Sequence, residues 1–441
     1  MKDRKTGIGT KLSFLIMGLG NIMHGQYGKG IIFLAVEAAY IWFMLAIGIN
    51  SLSMLPSLGD REQEEIWNET LGIFEYQQGD NSLLILLFGI ATIFVTIAFI
   101  MVWIASVKSA YKVERCAKRN ERVVTLKEDV RSLFDTNLHK LLLTLPVLGI
   151  VLFTILPLVY MISMAFTSYS KIGDKLVLFD WVGFKNFSVV LNFGGVTGQT
   201  FWSVLGWTIV WALVATFSNY FLGMILALII NRKGTRLKGL WRFCFVLTIA
   251  IPQFVSLLVM RIMLSEDGAF NMLLRYWGII GESEALPFLT KAMWARMTVI
   301  IVNLWVGIPY TILQVTGILQ NIPGELYESA KVDGASPVKT FMKITLPYML
   351  FVTTPYLITS FTGNINNFNM IYLLTGGGPT PVERTAGKTD LLVTWLYKLT
   401  IDRNYYNIGA VIGIMTFVIL AIVSLVTYRN TKSYKNEEGF Q

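Results

Sequence analysis

The chain alternates long apolar runs with short polar connections. Nearly uncharged stretches at about 31–55, 82–107, 140–167, 202–230, 240–264, 295–320, 345–373 and 406–427 each reach the roughly 20 residues that a helix needs to cross a bilayer. A membrane barrel would instead show alternating strands of about ten residues, and backbone groups in lipid must pair within their own segment. The pattern predicts an all-α polytopic membrane protein with eight spans. A further apolar run at 12–24 is too short to span. Flanked by Lys2, Arg4, Lys5, Lys11 and Lys29, it reads as an interfacial or re-entrant cytoplasmic segment. The run is also Gly-rich with no clear cleavage site, so residues 1–30 do not read as a cleaved signal.

Composition supports the membrane assignment. Of 441 residues 54% are hydrophobic and 15% charged, against about 25% charged in soluble chains. The net charge of +9 would suit nucleic acid, but the basic excess sits in loops that flank spans. Nine Lys and Arg fall within 108–140; Arg232, Lys233, Arg236, Lys238 and Arg242 fall within 231–242; Arg429, Lys432 and Lys435 lie in the tail. All three groups take a cytoplasmic position under the positive-inside rule, with both termini inside. Residues 56–81 carry Asp60, Glu62, Glu64, Glu65, Glu69, Glu75 and Asp80 against Arg61 alone and fall outside. The chain therefore reads as residues 1–107 with two accessory spans, a basic linker at 108–139, and a six-span core at 140–441, in the plasma membrane of a prokaryote.

Candidate chemistry is sparse. Cys116 and Cys244 make no disulfide framework, and His24 and His139 are too isolated for a metal site. Gly387-Lys388-Thr389 lacks the upstream glycine of a phosphate loop, since Val382 stands there. Glu37 is an intramembrane carboxylate near Lys29, read as structural. Two spans carry polar stripes. Asn303, Gly307, Tyr310 and Gln314 share one helical face. Ser360, Gly363, Asn364, Asn367 and Ile371 share another, with Asn366 and Asn369 beside it. Amides in hydrocarbon are costly unless they face a bundle interior or water. The stripes either glue helices or line a cavity suited to sugar hydroxyls and ring faces.

Residues 325–347 form a polar turn between two spans. Gly334 suits the φ > 0 stop after a helix, and Ser336-Pro337 suits the start of the next. The expectation is a bent pair of short helices outside the bilayer. Glu328-Ser-Ala330, Gly334 and Ile344-x-Leu346-Pro347 resemble the EAA loop of membrane subunits of ATP-binding-cassette importers, with Ser329 as a mild departure.

From about residue 140 the chain is similar to the larger permease of maltose/maltodextrin importers, through Asn303-Leu-Trp305-Val-Gly307-Ile-Pro-Tyr310 and Leu374-Thr-Gly-Gly-Gly-Pro379. The resemblance implies a type I importer core and coupling to an ATPase through Glu328, Ala330, Asp333 and Gly334. It implies sugar contacts at Asn303, Gly307, Tyr310, Ser360, Asn364 and Asn367, with Val306 and Gly363 lining the same wall. Ile249-Ala250-Ile251-Pro252 lacks an aromatic residue that the family leads one to expect. The implied partners are a second permease subunit in a heterodimer, two copies of a cytoplasmic ATPase, an extracellular solute-binding protein and an oligosaccharide, with lipid around the spans and no nucleic acid. The chain is expected to be no enzyme and to hold no cofactor; ATP and Mg belong to the ATPase subunits. Residues 391–401, with Trp395 and Tyr397, are expected on the outer surface where a delivery protein docks. The competing class is an ion- or proton-coupled secondary sugar transporter, which would need several intramembrane carboxylates. A membrane enzyme would need clustered His, Asp or Glu at one membrane surface.

Overall fold

The computed structural model describes residues 7–62, 64–69, 72–77, 79–119, 121–170, 178–232 and 234–429. Lys2, Arg4, Lys5, Lys233, Lys432 and Lys435 lie outside them. The chain forms two compact units, Met1–Phe184 and Lys185–Gln441.

Among the described residues seven helices are long and apolar enough to cross a membrane: Tyr27–Met54, Ser82–Lys118, Leu138–Met164, Val196–Asn231, Ala292–Gln320, Pro337–Thr375 and Tyr406–Arg429. The first three belong to the first unit, and the other four to the second. The expected straight span at 240–264 is instead two helices, Lys238–Ala250 and Gln253–Met263, bent by 89°. Pro252 is the cause. It offers no N–H to the Thr248 carbonyl, and it drives Ile251 into extended backbone at φ −81°, ψ 124°.

Within the first unit, the 12–24 run is no ninth span. The Ile8–Leu12 helix ends where the run begins, residues 13–18 turn, and only Leu19–Met23 within it is helical. Gly18 turns the chain between them at φ 78°, where a Cβ would meet the Gly30 carbonyl oxygen at 2.3 Å. Side chains of the longer helices satisfy the bend. Glu37 accepts from the Met17 N–H at 2.8 Å, Ser106 from the Gly18 N–H at 3.1 Å, and the Asn21 amide donates to Gln26 and Ser109. Glu37 thus has the structural role expected of it. The acidic connection is not wholly irregular: Glu64–Asn68 pairs antiparallel with Ile73–Gln77, and Trp67 stands opposite Phe74 with ring centroids 4.9 Å apart.

The second unit is built on the 196–231 and 292–320 helices. Small residues let their backbones approach. A Cβ at Gly223 would meet Thr311 Cβ at 2.6 Å, and one at Gly307 would meet Asn219 Nδ2 at 2.3 Å. Two buried clusters flank this pair. One gathers Trp207, Trp211, Leu257, Val299 and Met370, and the other Tyr220, Met224, Ile312 and Met349.

Candidate functional site

The 325–347 turn has the expected bend, locked by backbone bonds. The Gly324–Val332 helix ends in a Schellman motif. Gly334, at φ 69°, donates to the Lys331 carbonyl at 3.2 Å, and the Ala335 N–H reaches back to Ala330 at 2.9 Å. Ser336 caps the next helix through the Lys339 N–H at 3.3 Å, and Pro337 takes its first position. One expectation is corrected: the second arm is not a separate short helix. It widens into a π turn at Phe341–Thr345 and continues into the Leu346–Ile365 helix. A Tyr327–Thr345 hydroxyl contact of 3.0 Å joins the arms. Ala330 is buried inside the bend, whereas Glu328, Asp333 and Gly334 are exposed. Around them Val332 is 87% exposed and Val338 72%. The result is a stiff tip that carries acid and apolar side chains outward.

The 89° break opens a cleft lined by Thr248, Ile251, Gln253, Ser256, Trp305, Val306 and Tyr310. Two of its lining residues, Val306 and Tyr310, were expected from sequence. Thr248, Gln253, Ser256 and Trp305 were not. The signal that could have found them was Pro252, because a proline inside an apolar run frees backbone groups that must face something polar. The cleft gathers an indole, a phenol, an amide and two hydroxyls around a space of about 20 Å³, room for a water rather than a sugar ring in this conformation.

Asn303 lies one turn away and points inward. Its Nδ2 is buried without a hydrogen-bond partner among the described residues, and so is Oδ1 of Asn219 on the facing helix. A donor and an acceptor are therefore left open between apolar helices, at a cost of about 1–3 kcal/mol each unless something completes them. Gly307 does not open a wall for a sugar ring. The space its Cβ would take is filled by the Asn219 amide, so the glycine serves close helix packing.

The second stripe is not one helical face. Within the 337–375 span the α-helix is interrupted after Ile365, and Asn367 caps the last segment, Phe368–Thr375, by accepting from the Met370 N–H at 3.3 Å. Asn364 donates to Thr216 at 2.9 Å, accepts from Asn367, and takes the Trp211 indole N–H on its carbonyl at 3.0 Å. Ser360 is half-buried, Gly363 is exposed with open space beside its Cα, and Ile371 is fully buried. None of Asn303, Gly307, Ser360, Gly363, Asn364 or Asn367 lines the 89° cleft.

Trp395 is not on the surface. It is fully buried, and its indole donates to Thr385 at 3.0 Å. The 375–391 loop folds over it, held by buried Asp390, which pairs with Lys398 at 2.7 Å and accepts from the Gly387 N–H at 2.7 Å. Gly387 abuts the Gly377 carbonyl, and the Thr389 hydroxyl bonds Gly378, so the Gly-Lys-Thr run is packed into the fold.

Residues 219–434 match the family described as binding-protein-dependent transport system inner membrane component. The chain is 35% identical to the galactooligosaccharides transport system permease protein GanP of Bacillus subtilis, covering 96% of this chain and 97% of that one. It is 33% identical to the maltodextrin permease MdxF of the same organism, over 99% and 98%. The Escherichia coli maltose/maltodextrin permease MalF is 34% identical over 57% of this chain and 49% of its own. A solved bacterial ABC transporter for import of the acidic polysaccharide alginate shares the fold, with a TM-score of 0.57 at 23% identity, covering 70% of this chain and 99% of its own. With two relatives above 30% identity along nearly their whole length, and seven helices fit to cross a membrane, this multi-pass membrane protein belongs to the binding-protein-dependent transport system inner membrane components, as an ABC importer permease.

Proposed function

We propose that the chain carries an oligosaccharide of the maltodextrin or galactooligosaccharide kind across the plasma membrane of a prokaryote. It does so in a heterodimer with a second permease, driven by two copies of a cytoplasmic ATPase that bind ATP and Mg. An extracellular solute-binding protein delivers the sugar, and both termini lie inside. The names of the full-length relatives GanP and MdxF support the substrate class, and a solved alginate transporter complex with its sugar-bound periplasmic protein supports the delivery partner. The observation that carries the substrate path is local. A break in an apolar helix pair opens onto Trp305, Tyr310, Gln253 and Ser256, one turn from the unpaired Asn303 amide. Polar groups of this kind persist in a bundle where a wet or liganded path completes them. Asn364, Asn367, Ser360, Gly363 and Gly307 shape that path from behind. The Glu328–Gly334 tip receives the motion of the ATPase.

Co-reconstitution with the neighbouring subunits and the binding protein tests this reading. Trp305→Ala and Tyr310→Ala should each lower sugar uptake per assembled complex at least tenfold, the worth of about 1.4 kcal/mol of ring stacking and hydrogen bonding, while basal ATP hydrolysis persists. Full uptake by both variants would overturn the cleft as the path. Absence of sugar-stimulated ATP hydrolysis by the native complex, across glucans and galactans, would overturn the substrate class.

A further inference from the structure

The Leu126–Leu133 helix has two faces of different chemistry, and the fold uses only one. Thr125 caps it, and Glu128 reaches back to the Thr125 N–H at 2.8 Å. Its inner face is fixed to the 27–54 helix. Asp129 pairs with Lys29 at 2.7 Å, and Leu126 fills the notch beside Gly28, where a Cβ would come within 2.8 Å of it. The outer face, at helical spacing, is Lys127, Val130, Arg131 and Phe134. All four are exposed, and neither cation has an ion-pair partner among the described residues. Of the nearby acids, Glu128 is engaged by Arg122 and Asp129 by Lys29, while exposed Asp135, past the helix end, offsets only part of the charge of Lys127 and Arg131. The free face is therefore cationic and apolar at once.

We infer that this face is a membrane-surface anchor that binds anionic phospholipid headgroups. Its place in the chain favours lipid over a protein partner. The helix lies between the ends of two spanning helices, with seven residues separating it from Lys118 and four from Leu138, so it is tethered close to the headgroups. Phe134 and Val130 dip into the boundary, while Lys127 and Arg131 meet phosphate. A free peptide of eight residues would be a marginal helix. The capping box and the Lys29–Asp129 pair pre-form this one, so binding does not bear the ordering cost. The inference is independent of which sugar is carried.

The test uses the full-length protein with its co-purifying subunits in nanodiscs of phosphatidylcholine, with or without phosphatidylglycerol. A Val130→Cys variant in a Cys116→Ser, Cys244→Ser background carries an environment-sensitive fluorophore. Phosphatidylglycerol should shift its emission to the blue and raise its quenching by headgroup-level nitroxide lipids. Lys127→Gln with Arg131→Gln should weaken the preference for phosphatidylglycerol roughly fivefold per charge removed. Lys127→Arg with Arg131→Lys should restore it, which separates charge from misfolding. Phe134→Ser should reduce quenching in both lipids. A probe that stays in water in both discs overturns the anchor. Shielding that appears only when partner subunits are added assigns the face to protein and likewise overturns it, and equal quenching with and without phosphatidylglycerol overturns the anionic headgroup.

Discussion

A side-chain amide in an apolar bundle is defined by what completes its hydrogen bonds. Asn364 and Asn367 complete much of theirs within the fold, through Thr216, each other and the Met370 N–H. Asn303 and Asn219 do not. The sequence could not show this contrast, because Asn is equally polar whether its bonds are completed within the fold or left open. Asn367→Ala removes a helix cap worth about 1 kcal/mol. It should lower the thermal midpoint of the purified complex, and Asn367→Asp should recover most of the loss. Asn303→Ala removes a donor that costs stability while unpaired, so it should not lower that midpoint and should depress uptake per complex instead. A fall in stability for Asn303→Ala matching that of Asn367→Ala would reduce both residues to helix packing. Gly307 illustrates the same limit: a glycine that admits a sugar ring and one that admits a neighbouring amide read alike until the facing residue, Asn219, is known.

At the scale of elements, legibility followed local physics. Seven spans stood out because twenty apolar residues have few other uses. The hairpin stop was readable because Gly334 and Ser336-Pro337 each carry a local rule. The 64–77 strands were missed because five acidic residues at 62–75 masked the β-forming Ile66, Trp67, Ile73 and Phe74. The 240–264 run was read as one span because its apolar length outweighed the single Pro252, at which the chain bends by 89°. Pro252→Ala restores an N–H for the Thr248 carbonyl and should straighten the pair. The expected outcome is an assembled complex with the cleft lost and uptake sharply reduced; spin-label distances between positions 240 and 262 would lengthen. Wild-type distances and uptake would mean that packing, not proline, sets the bend. The capping box at Thr125 makes a separate pH prediction. The Thr125 backbone N–H, then its hydroxyl, holds the Glu128 carboxyl below its ordinary value. A depressed folded pKa means that the contribution is complete above the unfolded value near 4.3 and fades as pH falls through the lower folded value. A spin label at Asp135→Cys should thus gain mobility only below about pH 4, and Glu128→Gln should remove that acid step.

For the whole molecule, the decisive question is how work done elsewhere reaches the substrate path. The second arm of the 325–347 bend is continuous with the helix that carries Ser360 and Asn364. The first follows directly on the helix that carries Asn303 and Tyr310. A push on the tip is therefore applied to the roots of both polar helices. The Schellman bonds and the Tyr327–Thr345 contact keep the bend from absorbing that push. Glu328 is one of the exposed acids of the first arm, with Glu325 and Asp333, and under the proposed function it meets a cation on the driving subunit. Glu328→Lys should uncouple the complex: ATP hydrolysis continues, sugar no longer stimulates it, and uptake falls. Gly334→Val should produce the same phenotype by another route. Open space surrounds Gly334, so its penalty is backbone strain of at least about 1–2 kcal/mol at φ 69° rather than a clash. Gly334→Asn, which tolerates that backbone, should be milder than Gly334→Val. The ordering Val worse than Asn, with assembly intact in all three variants, is the signature of a lever that must stay bent. If Glu328→Lys and Gly334→Val both assemble and transport like the native protein, the tip is not the point where force enters.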